Sequence, residues 1–229
     1  MLSPDRLHGL GSEVREVPLL PVHTRSPNKL LALDAMGVIY AEANDGPNLL
    51  YPFIVEKGGC PDIRQILRLY NAASLGRISS AEFWKSAGID PALEDEYLLR
   101  HRLSDGLTEF LGQIRLLGIE LWCLSNDVSE WSVKLRARFG LDRYFRGFVI
   151  SGDTGMHKPD PAIYLCLLEK SGFRPSDAAF VDDRLRNIKA ADALGITAIL
   201  YNPAPEESQG HEYAIARTFP ELLNVLCYP

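Results

Sequence analysis

Along the chain, short runs with β-type composition, LLAL (30–33), IELWCL (119–124), GFVI (147–150), AAFV (178–181) and ITAIL (196–200), alternate with stretches of helical spacing. Such alternation predicts an α/β fold, a parallel sheet covered by helices on both faces. The helices carry their own punctuation. Trp131, Leu135 and Phe139 recur at four-residue steps, with Asn126 and Asp127 available as caps and Gly140 closing the run. A second helix opens on Asp160 with Pro161 in its first turn, turns Ile163, Leu167 and Leu168 inward, and ends at Gly172. A third spans about 185–194 before Gly195.

Residues 41–104 break this rhythm. They hold no convincing strand but several helical segments, one around IRQILRLYNAASLG and one around SSAEFWKSAG, the latter opened by Ser79 or Ser80 ahead of Glu82. The pattern predicts a helical insert placed after the first strand, with the sheet domain made of residues 29–40 and 105–229. Residues 1–28 carry Pro4, Pro18, Pro21 and Pro27 without periodicity and read as an N-terminal arm free of chemistry.

Composition narrows the function. With 229 residues, 46% of them hydrophobic and 24% charged, the chain has enough apolar surface for a full core. Its net charge of -6 offers no general field for nucleic acid or anionic lipid. The local cluster Arg136, Arg138, Arg143 and Arg146 reads as a solvated face. Cys60, Cys123, Cys166 and Cys227 stand singly, without metal-binding spacing, as free thiols of a reducing compartment. No apolar stretch is long enough to cross a bilayer, so a cytoplasmic protein is expected.

Chemistry-bearing residues fall at the carboxyl ends of the predicted strands, where an open α/β sheet presents its crevice. Asp34 and Gly37 follow the first strand, Ser125 and Asn126 the second, and Asp182 and Asp183 the fourth, while Lys158 with Pro159 precedes a helix. Two carboxylates brought to about 4 Å repel by roughly 4 kcal/mol at an effective dielectric of 20, so convergence of the three acids demands a cation. Their hard oxygens suit Mg²⁺ together with substrate phosphate oxygens. Lys158 then balances charge, the Ser125 hydroxyl donates to phosphoryl oxygens, and a carboxylate in line with a bound phosphate describes covalent phosphoryl transfer.

The ordered segments LDAMGVIY, CLSND, HKPDPAIY and FVDDRLRN resemble the four motifs of the haloacid dehalogenase-like superfamily over residues 30–201. The resemblance implies a Rossmann-like, doubly wound core with an inserted helical cap. GRISSAEFWKSAGI is similar to the cap of the subfamily with small helical caps, and SGDTGMHKPDPAIY with VDDRLRNIKAADALGITAIL to its sugar-phosphatase-like members. It also implies roles: Asp34 as nucleophile and Mg²⁺ ligand, Asp183 as second ligand, Asp182 as ligand or holder of a metal-bound water, and the backbone carbonyl of Met36 as a further ligand. Ser125 and Lys158 bind the transferred phosphoryl group, Asn126 helps shape the phosphate loop, and Asn187 orients the acids. The substrate is a small-molecule phosphate ester.

One position departs from the pattern. Residue 36 is Met where phosphatases of the superfamily place a second Asp, and a thioether transfers no proton. Three readings follow in order: a phosphatase whose proton comes from water or another residue, a phosphate-ligand-binding protein with an impaired site, and a dehalogenase. Other residues have plainer readings. His157 is a polar loop residue beside Lys158; Phe83, Trp84 and Tyr70 form the insert's own core; Arg77 and the segment Glu42, Asn44, Asp45 are surface or flap; Cys123 packs as a small apolar group.

Overall fold

The computed structural model describes residues 29–227 apart from 203 and 211, so the arm expected over residues 1–28 lies outside the described residues. Strand β1 (Leu30–Leu33) leads into four helices, α1 (Tyr51–Glu56), α2 (Ile63–Ser74), α3 (Ser80–Ser86) and α4 (Glu94–Leu98). The chain continues through α5 (Leu107–Leu116), β2 (Glu120–Ser125), α6 (Ser129–Arg138), β3 (Gly147–Ile150), α7 (Ser151–Thr154) and α8 (Pro161–Ser171). It finishes with β4 (Ala178–Asp182), α9 (Leu185–Asp192), β5 (Thr197–Tyr201), β6 (Ala214–Ala216) and α10 (Phe219–Cys227).

All strand pairings are parallel, and the order is β3-β2-β1-β4-β5-β6. The strands are apolar except at their ends because each face is covered. Leu31, Leu33, Leu121, Cys123, Ala179 and Val181 pack with α5, α6 and α10 on one side. The alternate residues Leu30, Ala32, Trp122, Leu124, Ala178 and Phe180 pack with α8 and α9 on the other. This two-residue alternation between separate cores is the signature of a doubly wound sheet. The edge strand β6 was not expected: three residues, AIA, are too few to set up a pattern.

Helix boundaries follow local chemistry. Asp160 caps α8 through the Ala162 N–H, with Pro161 next, and Gly172 ends it in the left-handed region. Ser79 and Glu82 form a capping box on α3. Helix α6 departs from expectation, since its N-cap is Val128, without a side-chain cap. Asn126 is occupied with Lys158, and the Asp127 carboxylate accepts from the neighbouring Val128 N–H at 2.7 Å.

Helices α1 to α4 do not sit apart from the sheet domain. Trp131 on α6 packs against Tyr70, Phe83, Trp84 and Tyr97, so the aromatic cluster expected as the insert's own core is shared. Glu94 accepts from the indole N–H of Trp84 at 2.9 Å and of Trp131 at 2.8 Å, bridging the two parts. Arg138, one of the arginines of the expected solvated face, donates to the carbonyls of Leu98, Leu99 and His101 and so satisfies the end of α4. At the end of α2, Gly76 has φ +66° and lies against the Gly152 carbonyl, where a Cβ would sit 2.3 Å from that oxygen. No helix among the described residues is long and apolar enough to cross a membrane.

Candidate active site

β1 is the point from which the sheet winds in opposite directions, β2 and β3 to one side and β4 to β6 to the other. An open parallel sheet leaves its crevice there, at the carboxyl ends of the strands. Asp34 follows β1 directly, and its N–H donates to the Val181 carbonyl of β4 at 2.9 Å, so this register sets the first acid beside Asp182. Asp34, Asp182 and Asp183 each bring a carboxylate oxygen within 4.8 Å of the others.

Lys158 closes the cluster. It is 3% exposed, and its Nζ donates to Asp34 Oδ1 at 2.6 Å and to Asp182 Oδ2 at 2.7 Å. Burial alone would lower its pKa, but the two carboxylates outweigh burial and hold it above the usual lysine value. The side chain is aimed by its own backbone: Asn126 accepts from the Lys158 N–H at 2.8 Å and donates to its carbonyl at 3.0 Å. Asn126, expected at the phosphate, therefore spends its amide on positioning Lys158.

Asp182 is fully buried and fully engaged. Its oxygens accept from Lys158, from the Arg184 N–H and twice from Asn187 Nδ2. These donors take up its lone pairs, so its geometry is that of an anchor for Lys158. Asn187, for which the resemblance implied an orienting role, donates to both oxygens of Asp182. Asp183 is different: Oδ1 is buried and accepts no hydrogen bond, with Arg184 Nε at 3.8 Å. Burial, then Asp182, pushes its carboxyl up to about 7. Burial raises Asp34 as well, against the pull of Lys158 and with the help of Asp182 and Asp183.

A carboxylate oxygen with no donor, among three acids and one ammonium, is the donor set of a hard divalent cation, and Mg²⁺ fits it. Gly37 makes room beside it. Its φ is +82°, and a Cβ there would lie 3.0 Å from Asp183 Oδ2 and 3.0 Å from the Ala43 side chain. Ser125 Oγ is buried and unbonded at the end of β2, a donor left for a ligand.

Asp34, Ser125 and Lys158 line a cavity of about 300 Å³, whereas Asp182 and Asp183 lie behind its wall. Its inner wall contains Asp34, Met36, Ser125 and Lys158; its outer wall is made by Asp45, Tyr70 and Asn71 from the segment between β1 and β2, and by His157, Arg184 and Arg186. Tyr70, read from sequence as core, thus also faces the cavity, and His157 is tied to Ser74 at 3.0 Å. For the outer wall the sequence offered the polar run at Glu42 to Asp45 and His157 beside Lys158; nothing in it marked Asn71, Ser74 or Arg186.

Asp45 is 6% exposed, and burial raises its carboxyl to about 6. A carboxyl whose pKa is higher folded than unfolded favours the folded state at low pH, and this contribution is lost as pH rises from about 4 through about 6. Keeping it ionised at pH 8 costs about 3 kcal/mol by linkage. Asp45→Asn is expected to equal or exceed the wild type in stability at pH 8 and to lose that advantage near pH 4. Denaturant melts at the two pH values would show it; an advantage that grows on acidification would contradict it.

Comparison with known proteins shows the family of the chain. A family model described as a haloacid dehalogenase-like hydrolase matches residues 29–195. Phosphoglycolate phosphatase of Thiobacillus denitrificans is 28% identical over 186 residues, 74% of this chain and 81% of that protein. Phosphoglycolate phosphatase 1 of Pseudomonas aeruginosa is 33% identical over 106 residues, 44% of this chain and 39% of that protein. The matched part of this chain spans only about half the length of most curated relatives. Among solved structures, the wild-type form of a HAD-family enzyme of Bacteroides thetaiotaomicron in complex with magnesium and inorganic phosphate superposes with a TM-score of 0.58 at 22% identity, covering 73% of this chain and 91% of that one. That likeness concerns the fold.

Proposed function

Because the chain belongs to the haloacid dehalogenase-like hydrolase family, we propose that it is a Mg²⁺-dependent phosphomonoester hydrolase acting on a small metabolite through an aspartyl-phosphate. The observation that carries this is the Lys158 ammonium, buried and bonded at once to Asp34 and Asp182 beside an unbonded Ser125 hydroxyl. A pocket with that pairing accepts a dianionic phosphoryl group and presents a carboxylate to it.

Asp34 attacks phosphorus, and its second oxygen stays on Lys158. Ser125 Oγ and Lys158 Nζ donate to the equatorial oxygens as their charge grows. Asp182 and Asn187 hold Lys158 in place, and Asn126 sets its backbone. Asp34, Asp183 and the carbonyl of Met36 would hold the metal, with Asp182 behind them; when bound, Mg²⁺ neutralises phosphate charge. The magnesium and phosphate named for the Bacteroides enzyme support this assignment, as the names of the two phosphoglycolate phosphatases support a small phosphate ester. Residues 41–104 act as the cap that shapes the outer wall. Four free thiols fit a cytoplasmic protein.

Met36 supports a second reading, a protein that binds phosphate esters without turning them over, because its side chain carries no transferable proton. Dehalogenation is disfavoured: a carboxylate substrate would enter a site already holding three carboxylates. A panel of phosphate monoesters assayed with Mg²⁺ and with chelator tests the proposal. Turnover that needs the metal is expected; binding of inorganic phosphate with no ester hydrolysed would transfer the site to the binding reading.

A further inference from the structure

We propose that Asp45 gives the leaving group its proton and later recovers one from the attacking water, the task for which Met36 is unfit; the inference rests on the phosphatase reading above. The loop carrying Asp45 leaves β1 and folds back over the acids. Ala43 packs on Gly37 next to Asp183, and Arg184 fastens the loop by donating to the Ala43 carbonyl at 3.1 Å and to Asn44 Oδ1 at 3.2 Å. This brings the Asp45 carboxyl to the wall of the cavity that also contains Asp34, Met36, Ser125 and Lys158. Asp45 and Asp34 thus line one cavity of about 300 Å³, and the proposed step needs Asp45 to meet an ester oxygen held at Asp34 directly or through one water.

The surroundings suit an acid that must also serve as a base. Asp45 Oδ2 accepts from the Tyr70 hydroxyl of α2 at 2.8 Å, and the Tyr97 hydroxyl of α4 lies at 3.5 Å. Its remaining charged neighbours are Arg184, which pulls its pKa down, Glu42, which pushes it up, and buried Asp127 beyond β2, whose own carboxyl Asp45 raises. Burial, partly offset by the Tyr70 hydroxyl and Arg184, sets its carboxyl at about 6, so both protonation states are populated around that pH. A merely structural Asp45 would be replaceable by Asn, whose carbonyl accepts the same tyrosine hydroxyls.

In the first step an Asp34 oxygen forms a bond to phosphorus, the ester P–O bond breaks, and the leaving oxygen takes the Asp45 proton to become an alcohol. In the second, water adds to phosphorus while giving a proton to the Asp45 carboxylate, the bond to Asp34 breaks, and inorganic phosphate departs. Asp45 ends as it began.

The test compares Asp45→Asn with wild type, both with Mg²⁺, on the best alkyl phosphate of the panel and on p-nitrophenyl phosphate, whose leaving group departs as a stable anion. A loss of about 10² to 10⁴ is expected on the alkyl ester. On the nitrophenyl ester the variant is expected to release a first equivalent with a smaller loss and then stall, producing a burst. Equal alkyl rates, or equal losses on both esters with no burst, would overturn the proposal. A second variant needs no change at Asp45. Tyr70→Phe removes a donor that favours the carboxylate, so the alkaline limb of kcat/KM, set by loss of the Asp45 proton, should move to higher pH; an unmoved limb would also overturn it. A wild type inactive on every ester defeats the phosphatase reading and Asp45 with it, whereas an active wild type matched by Asp45→Asn defeats Asp45 alone.

Discussion

Asp34→Asn abolishes hydrolysis, with an expected loss of roughly 10⁶, the scale seen when a covalent nucleophile is removed from an enzyme. The substitution is nearly isosteric. The side-chain oxygen still accepts from the Ala35 N–H, now at 2.6 Å, and from Lys158, so the turn after β1 keeps its shape. What disappears is a carboxylate able to bond to phosphorus. Burial already disfavours that charge, so the variant gives up little stability. Inorganic phosphate should still bind, which separates chemistry from recognition in one protein. Steady-state assays, with mass spectrometry for a phosphorylated chain, supply the measurement; full activity in the variant would remove the covalent mechanism.

Lys158→Met has the second largest effect, on stability as well as on rate. The lysine side chain is 1% exposed and neutralises Asp34 and Asp182 together. Replacing it by an apolar chain of similar length leaves two buried carboxylates without their shared counter-ion, and breaking such a pair from one side costs about 3–5 kcal/mol. For a domain of this size the melting temperature should fall by roughly 10 °C in chelator. Millimolar Mg²⁺ is expected to restore part of the loss, because a divalent ion among the acids replaces some of the missing charge. Turnover should be lost along with it. A melting temperature equal to wild type in chelator would show that the ammonium does not balance the acids.

The sheet and the inner wall of the site were legible because each depends on a local pattern. Buried strands are apolar along their length, and the residues at their carboxyl ends occupy the crevice by topology, which singled out Asp34, Ser125, Asp182 and Asp183; Lys158 was marked by its place before a helix and Asn187 only by the family resemblance. The outer wall was not legible. Asn71 and Ser74 lie on a helix that reads as ordinary amphipathic sequence, and only packing of α2 against the sheet domain turns them to the cavity. Asn126 and Asp127 were misread as helix caps because their type favours capping, whereas tertiary partners one loop away claimed Asn126. Trp131 was correctly buried, but sequence periodicity cannot say that its neighbours come from another part of the chain.

The central place of β1 also governs when the site comes into being. This strand has partners on both flanks, one supplied by β2 and the other by β4. As the polypeptide leaves the ribosome from its amino end, the side of β1 meant for β4 has nothing to pair with until residues 178–182 emerge. Asp182 and the main-chain anchor for Asp34, the Val181 carbonyl, come with that one segment, and Asp183 directly follows it. Any stretch of this sequence that stops short of residue 178 therefore holds Asp34 without its neighbouring acids.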